Sequence, residues 1–482
     1  MAGAVGQRRL ARNFALLSGG EMLAKVASFL AFTHLGRSLG PERYGSVEFV
    51  VAAIVFFSLP VAFGLEEYGA RELAKSAGDS MLLAAEISAL RMLLAFVSVA
   101  ILAIVIWILP RPTEQKLLLA AWGVSLLLMP ALGQWFFQGH NDMAWVSMLA
   151  IVRQSVFAFL VLFCFDPQGP LYRIGLFELA AVAATVAAGL YGLRRRFRLA
   201  LPFARISAAR MGGHLKAAIP IGLSQLTWAG LWYAATLILG FWQPPRVLGD
   251  FGVAHRITLS LHTFVWLYFF NLLPSISRVA NETAEGGKLS ELLSQSLRIT
   301  SWAGFLVALA VAAAAGPMVS LAFGTAFAGS APVLAALIAM IPVTLISGHY
   351  RFTLIATGHQ NWLLHWSLAA LAVTLASALL LVPDWGAVGA AWALLAGSVV
   401  QLILTYVTVR RHIVRLPAFR LWLPAGLASC AAWMAYRALS PINLPASVLT
   451  AAAIYLAALW FFERERIAVE WAQLWQTREH AA

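Results

Sequence analysis

The chain has 482 residues, of which 61% are hydrophobic and 11% charged, with a formal net charge of +13 and a mean hydropathy of +0.80. Water-soluble domains carry about 25% charged residues, so this composition excludes them as a class. The positive charge suggests nucleic acid, but in so apolar a chain it is better explained by the basic bias of cytoplasmic loops, and no nucleic-acid partner is expected.

From the N-terminus, Met1 to Asn13 is short and carries Arg8, Arg9 and Arg12. It looks like a secretory leader. However, no small-residue cleavage site follows, and Glu21 and Lys25 interrupt the apolar run, so it is read as a retained first span. Spans are then expected at 14–36, 45–64, 82–109, 117–137, 143–165, 173–192, 217–240, 250–273, 297–323, 331–355, 362–382, 387–409, 421–439 and 445–462. Each is long enough to cross a bilayer as a helix. None alternates as a barrel strand would, and backbone in hydrocarbon must satisfy its own hydrogen bonds. The expected fold is an all-α polytopic membrane protein of about 14 transmembrane helices.

Charge orients these spans. Alternate segments beginning with the N-terminus hold 22 Lys and Arg, the opposite segments 6, and the spans themselves 6. Both termini are therefore expected in the cytoplasm. The densest cluster (Arg194, Arg195, Arg196, Arg198, Arg205, Arg210 and Lys216) reads as a linker between two halves, a topology determinant that meets anionic lipid head groups. The expected organisation is an N-terminal lobe at 1–193, a basic linker at 194–216, a C-terminal lobe at 217–409, two further spans within 410–462 and a tail at 463–482. In the tail, Ile467, Trp471, Leu474 and Trp475 share one helical face, as in a helix lying in the membrane interface.

The halves repeat faintly. Pro41 stands four before Gly45 at the start of span 2, and Pro245 four before Gly249 at the start of span 8. Gly139-His140-Asn141 follows span 4, and Gly358-His359-Gln360 follows span 10. Each pair is six spans apart, which points to a duplicated bundle repeated about an axis along the membrane normal. Cys164 and Cys430 lie far apart in apolar runs and are expected to be buried thiols. No metal, cofactor or catalytic motif is found: there is no Walker A, GxSxG or HExxH sequence.

Five cations fall inside spans: Lys25, Arg91, Arg153, Arg256 and Arg351. A cation in hydrocarbon is costly, so each is expected to face protein, a watery cavity or an anion. Glu21, four before Lys25, allows a local pair as the alternative to a cavity role. Arg153 has no carboxylate within a turn, so Arg153→Ala is expected to remove an anion contact while relieving an unpaired buried charge. Arg91, Arg256 and Arg351 lie nearer span ends, where snorkelling to the surface is the alternative. Glu48 and Glu178 are read either as ion-coupling acids or as partners for arginines on other helices. Trp122, Trp135, Trp228 and Trp232 offer stacking faces for sugars, against packing or an interfacial belt.

The stretch from Arg12-Asn13-Phe14 through Leu39-Gly40-Pro41-Glu42-Arg43-Tyr44-Gly45, with Gly64, Tyr68-Gly69, Arg71 and Ala74 behind it, resembles the opening of bacterial polysaccharide transporters, the oligosaccharide (Wzx-like) flippases of the MOP superfamily. Gln138 to His140 and Thr357 to His359 fit the same family. The resemblance implies two six-helix lobes (MATE/MOP-like) around a central cavity plus two C-terminal helices, in a bacterial inner membrane. It implies that a lipid-(pyro)phosphate-linked glycan is flipped outward by alternating access. Its anionic head group would be held by Lys25, Arg153, Arg256, Arg351 and Arg91, with Glu21, Glu178 or Glu48 coupling an ion. Expected partners are the lipid-linked anionic glycan, membrane lipids and other polysaccharide-biosynthesis membrane proteins. A cation-coupled multidrug extruder of the same superfamily would want acidic lobes, and these spans carry mainly basic residues. A membrane glycosyltransferase or polymerase would need catalytic groups on a sizeable outer loop, and every outer connection is short.

Overall fold

The computed structural model describes residues 2–75, 80–197, 202–282, 287–440 and 442–479, with the side chains of 2–16, 281–282, 418, 444 and 465–479 left aside. No strand occurs among the described residues. The helices are α1 (Ala2–Ala62), α2 (Leu65–Lys75), α3 (Ser80–Ile108), α4 (Thr113–Gly123), α5 (Gln134–Gly139), α6 (Met143–Cys164), α7 (Tyr172–Phe197) and α8 (Ala208–Trp242), then α9 (Pro245–Glu282), α10 (Gly287–Ala313), α11 (Ala315–Phe323), α12 (Ser330–Leu337), α13 (Met340–Ala356), α14 (Gln360–His412), α15 (Ala418–Leu439) and α16 (Leu444–Glu479).

Among the described residues, ten stretches are long and apolar enough to cross a membrane. Two of them are double. The stretch through α1 bends at Gly40 (φ 70°), which separates spans 1 and 2, and α14 bends at Gly386 (φ 52°), which separates spans 11 and 12. Glycine reaches this left-handed region without a Cβ clash, and Pro41 then opens the next helix, where its missing N–H costs nothing. The helices α8 and α15 are also of spanning length, so the layout agrees with about fourteen helices.

Some boundaries move. Span 4 is broken: after α4 the chain runs through 3-10 turns at Val124–Leu127 and Met129–Ala131 and a left-handed Gly133 before α5. Span 9 begins at Gly287 rather than 297, and 315–323 is a separate short helix. Arg298, one of the 22 charges expected in cytoplasmic connections, sits within α10, where its Nη1 donates to Glu463 Oε2 at 3.0 Å. The 463–482 tail continues α16 as far as Glu479, and its expected interfacial side chains lie outside the described residues, as do Arg198 and the side chains of Arg8, Arg9 and Arg12. Cys164 and Cys430 are free and exposed, not buried.

The helices gather into two compact units. One comprises Met1–Arg256, Ala322–Phe327 and Thr374–Ala390; the other comprises Ile257–Leu321, Ala328–Val373 and Ala391–Ala482. In the first, Trp135, Phe136 and Phe137 of α5 pack into a core with Leu73, Ile87, Leu90, Leu149 and Leu193. In the second, one core joins Leu293, Leu297, Tyr350 and Val409, and Trp302, Ala428 and Tyr455 form another that fastens α16 to α10.

The proline–glycine repeat meets itself within the first unit. A Cβ placed on Gly45 would run into the carbonyl oxygen of Pro245, and one placed on Gly249 into the carbonyl oxygen of Pro41. Such reciprocity, each proline against the other's glycine, is what a two-fold relation produces. Small residues permit this backbone approach between spanning helices. The glycine–histidine match does not survive. Asp142 N donates to Phe137 O and His359 N to Leu354 O, each across five residues at a helix end. The left-handed residues there are Asn141 (φ 58°) and Gly358 (φ 78°), so Asn141 and Gly358 are the equivalents.

Candidate functional site

Three of the five intramembrane cations are held by glutamates from another helix. Beside the glycine crossing, Gly252 leaves room for the Glu48 side chain. Arg256 donates through Nη2 to Glu48 Oε1 at 2.6 Å and through Nε at 3.1 Å. Its Nε also reaches the Tyr44 hydroxyl at 3.1 Å, and its guanidinium carbon lies 3.4 Å from the Phe32 ring centre. Arg256 is therefore tied to α1, whereas its depth suggested snorkelling. An arginine over an aromatic face and forked onto a carboxylate satisfies charge without water.

Arg153 of α6 donates to Glu178 Oε1 of α7 through Nη2 at 2.5 Å and Nε at 3.0 Å. The one-turn search missed this partner because it lies on the next helix; the arginine keeps 29% side-chain exposure against 7% for the acid. Arg91 is 1% exposed. It binds Glu66 of α2 and donates to the Val61 and Met129 carbonyls at 3.2 and 3.3 Å.

Lys25 and Arg351 differ. Lys25 is exposed and, among the described residues, forms no pair with Glu21 or any other acid. Arg351 is half-buried on α13, its Nε is buried without a hydrogen-bond partner, and no carboxylate pairs with it among the described residues. His262 of α9 lies within its electrostatic reach. A guanidinium left without its anion in a low-dielectric setting is a position that an anionic ligand can complete.

The sequence reading missed several polar groups. Glu66 holds Arg91. Glu86 on α3 accepts from Arg210 Nε at 2.6 Å and lies 3.0 Å from His214 Nε2, while His214 Nδ1 is 3.1 Å from the Tyr68 hydroxyl. In the second unit His349 Nδ1 donates to the Leu345 carbonyl at 2.9 Å. Its Nε2 therefore accepts from Ser296 at 2.7 Å, and Ser296 accepts from Tyr268 at 2.6 Å. Single polar residues in apolar runs carry no sign of which helix completes them. Of the four tryptophans offered to sugars, Trp122, Trp135 and Trp232 are buried in packing and only Trp228 is exposed.

Helices long enough to span, kinked at glycine and tied by arginine–glutamate pairs, define a polytopic helical membrane protein. The family model described as polysaccharide biosynthesis protein matches residues 10–280. The chain belongs to that family. It is 23% identical over 417 residues to a candidate O-antigen transporter of Escherichia coli (strain K12), covering 84% of this chain and 97% of that one. Among solved structures it shares the fold of the lipid II flippase MurJ in its inward closed conformation (TM-score 0.76, 12% identity, 94% of this chain and 99% of that one). It shares it too with an inward-facing multidrug resistance MATE family transporter of the MOP superfamily (TM-score 0.69, 15% identity, 81% and 94%). The fold is that of MOP-superfamily transporters and flippases.

Proposed function

We propose that this chain carries a lipid-(pyro)phosphate-linked glycan from the cytoplasmic to the outer leaflet by alternating access, with Arg351 as a principal anchor for the anionic head group. The observation that supports this reading is the contrast among the five cations. Arg91, Arg153 and Arg256 each have a glutamate, so their first role is to hold helices together. Arg351 has an unpartnered Nε and, among the described residues, no carboxylate. A guanidinium forks onto two phosphate oxygens and keeps its charge, which suits a pyrophosphate. Membership of a polysaccharide biosynthesis family and likeness to an O-antigen transporter support this substrate class. The multidrug reading is weakened because Glu48 and Glu178, the acids it would use, are occupied by arginines.

The test is complementation of a deletion strain, with lipid-linked glycan and surface glycan measured beside protein abundance. Arg351→Ala is expected to abolish export at normal abundance, and Arg351→Lys to restore part of it. Export at the wild-type rate in Arg351→Ala would remove Arg351 from the site.

A further inference from the structure

In the first unit a cavity of about 470 Å³ opens between α3, the broken span 4 and α7. That size is within the range of about 300–1,000 Å³ typical of small-molecule sites. Its origin is local. Ala84, Ser88 and Ala89 put small side chains on one face of α3, and Ala131 and Gly133 do the same where span 4 leaves α-helical geometry. Trp135, Phe136 and Met92 complete an almost wholly apolar wall, with the Ser88 hydroxyl its main polar group. Water gains nothing in such a space, since it needs polar partners. A hydrocarbon chain in it would recover the dispersion contacts that an empty wall forfeits.

One end of the cavity is basic. Leu190 and Leu193 line it, and Arg194, Arg195 and Arg196 follow in the last turn of the same helix. Phe203, another lining residue, shares its 3-10 turn with Arg205. The nearby acids are already engaged: Glu86 by Arg210 and His214, and Asp142 by Arg196 at 2.8 Å. Arg194 and Arg195 are exposed, and Arg195 makes a bond of 3.1 Å to the Tyr191 hydroxyl. An apolar slot lined by Leu190 and Leu193, with the exposed Arg194 next on the same face of α7, matches a molecule with a hydrocarbon chain and an anionic phosphate.

We propose that this cavity is a binding site for an anionic glycerophospholipid, one acyl chain lying in the slot and the phosphate meeting Arg194. The site is separate from Arg351, and its occupant is a resident lipid rather than cargo.

The full-length protein in mild detergent would be mixed with dioleoyl phosphatidylglycerol, or with dioleoyl phosphatidylcholine, and bound lipid counted by native mass spectrometry. One phosphatidylglycerol is expected to survive activation that strips phosphatidylcholine. Ala89→Phe, which fills the slot, is expected to reduce it to the level of nonspecific adducts, while Ala100→Phe on the exposed face of α3 leaves it unchanged. Ser88→Leu serves should Ala89→Phe fail to give a monodisperse protein. Arg194→Gln is expected to weaken retention about fivefold, the value of one basic residue near an anionic phosphate, and Arg195→Gln, on the opposite face of α7 beside Tyr191, to weaken it less. Retention by the slot-filling variants equal to wild type overturns the proposal. So does displacement of phosphatidylglycerol by an equimolar polyprenyl phosphate, which would make the slot a seat for a substrate tail.

Discussion

A guanidinium in a membrane needs an anion, and the supply of anions sorts the arginines of this chain. Arg153 and Glu178 are the clearest pair to test, because both lie in spans and the acid is nearly sealed. Removing one member of such a pair leaves a buried charge uncompensated, a cost of about 3–5 kcal/mol, whereas replacing both with apolar groups is close to neutral. Arg153→Ala is therefore expected to lower thermal stability in detergent sharply, and Arg153→Leu combined with Glu178→Leu to recover most of it. The sequence alone pointed the other way, toward relief of an unpaired charge. Equal melting of Arg153→Ala and wild type would mean that the pair contributes nothing. The same cycle applies to Glu48 and Arg256, where Tyr44 and Phe32 add a hydrogen bond and a ring face.

At the scale of the element, the reciprocal glycine contact carries the strongest expectation. Gly45→Ala and Gly249→Ala each drive a methyl group into a backbone carbonyl, which the helices can relieve only by separating. Overpacking of this kind costs typically about 1–3 kcal/mol. Gly212→Ala, with nothing within 4 Å, is expected to be neutral or to stabilise α8 by up to about 1 kcal/mol, as alanine does in a helix. Thermal unfolding of the three variants checks both halves, and an undisturbed Gly45→Ala would show that the crossing yields. This contact also marks how far the sequence could be read. The spans were legible because long apolar runs have few alternatives, and the Pro41–Gly45 and Pro245–Gly249 match was legible as a repeat. That the two copies touch was not, since nothing local reports a neighbour 204 positions away. The broken span 4 was hidden for a different reason: Pro130 and Gly133 sit in an apolar run where spanning helices tolerate both. Cross-helix pairs were hidden by separation, 25 residues for Arg153–Glu178 and 208 for Arg256–Glu48.

For the whole molecule, orientation and driving force go together. The basic residues are concentrated in one set of connections, so reporter fusions at Arg205 and Arg415 are expected to read cytoplasmic and those at Asp166 and Pro441 to read outside. One reproducibly reversed reporter breaks that map. Given this orientation, an inside-negative potential of 100 mV contributes about 2.3 kcal/mol for each negative charge moved outward. On the function proposed above, a multiply anionic head group would thus be pushed in the direction of export without any ion site. An ion-coupled cycle would additionally need an acid able to take up and release its ion. Glu48 and Glu178 are each closed onto an arginine, so either would first have to give up that partner. Glu21 is half-buried on α1 without a counter-ion among the described residues, which makes it the better carrier of the three. In reconstituted vesicles, transport is expected to slow when ionophores collapse every gradient, and Glu21→Gln to reproduce the slow rate with gradients intact. Slowing by ionophores with a normal Glu21→Gln variant would place the driving force on the charge of the substrate itself. Indifference to ionophores would make the protein an equilibrating path, with export drawn by whatever consumes the glycan outside.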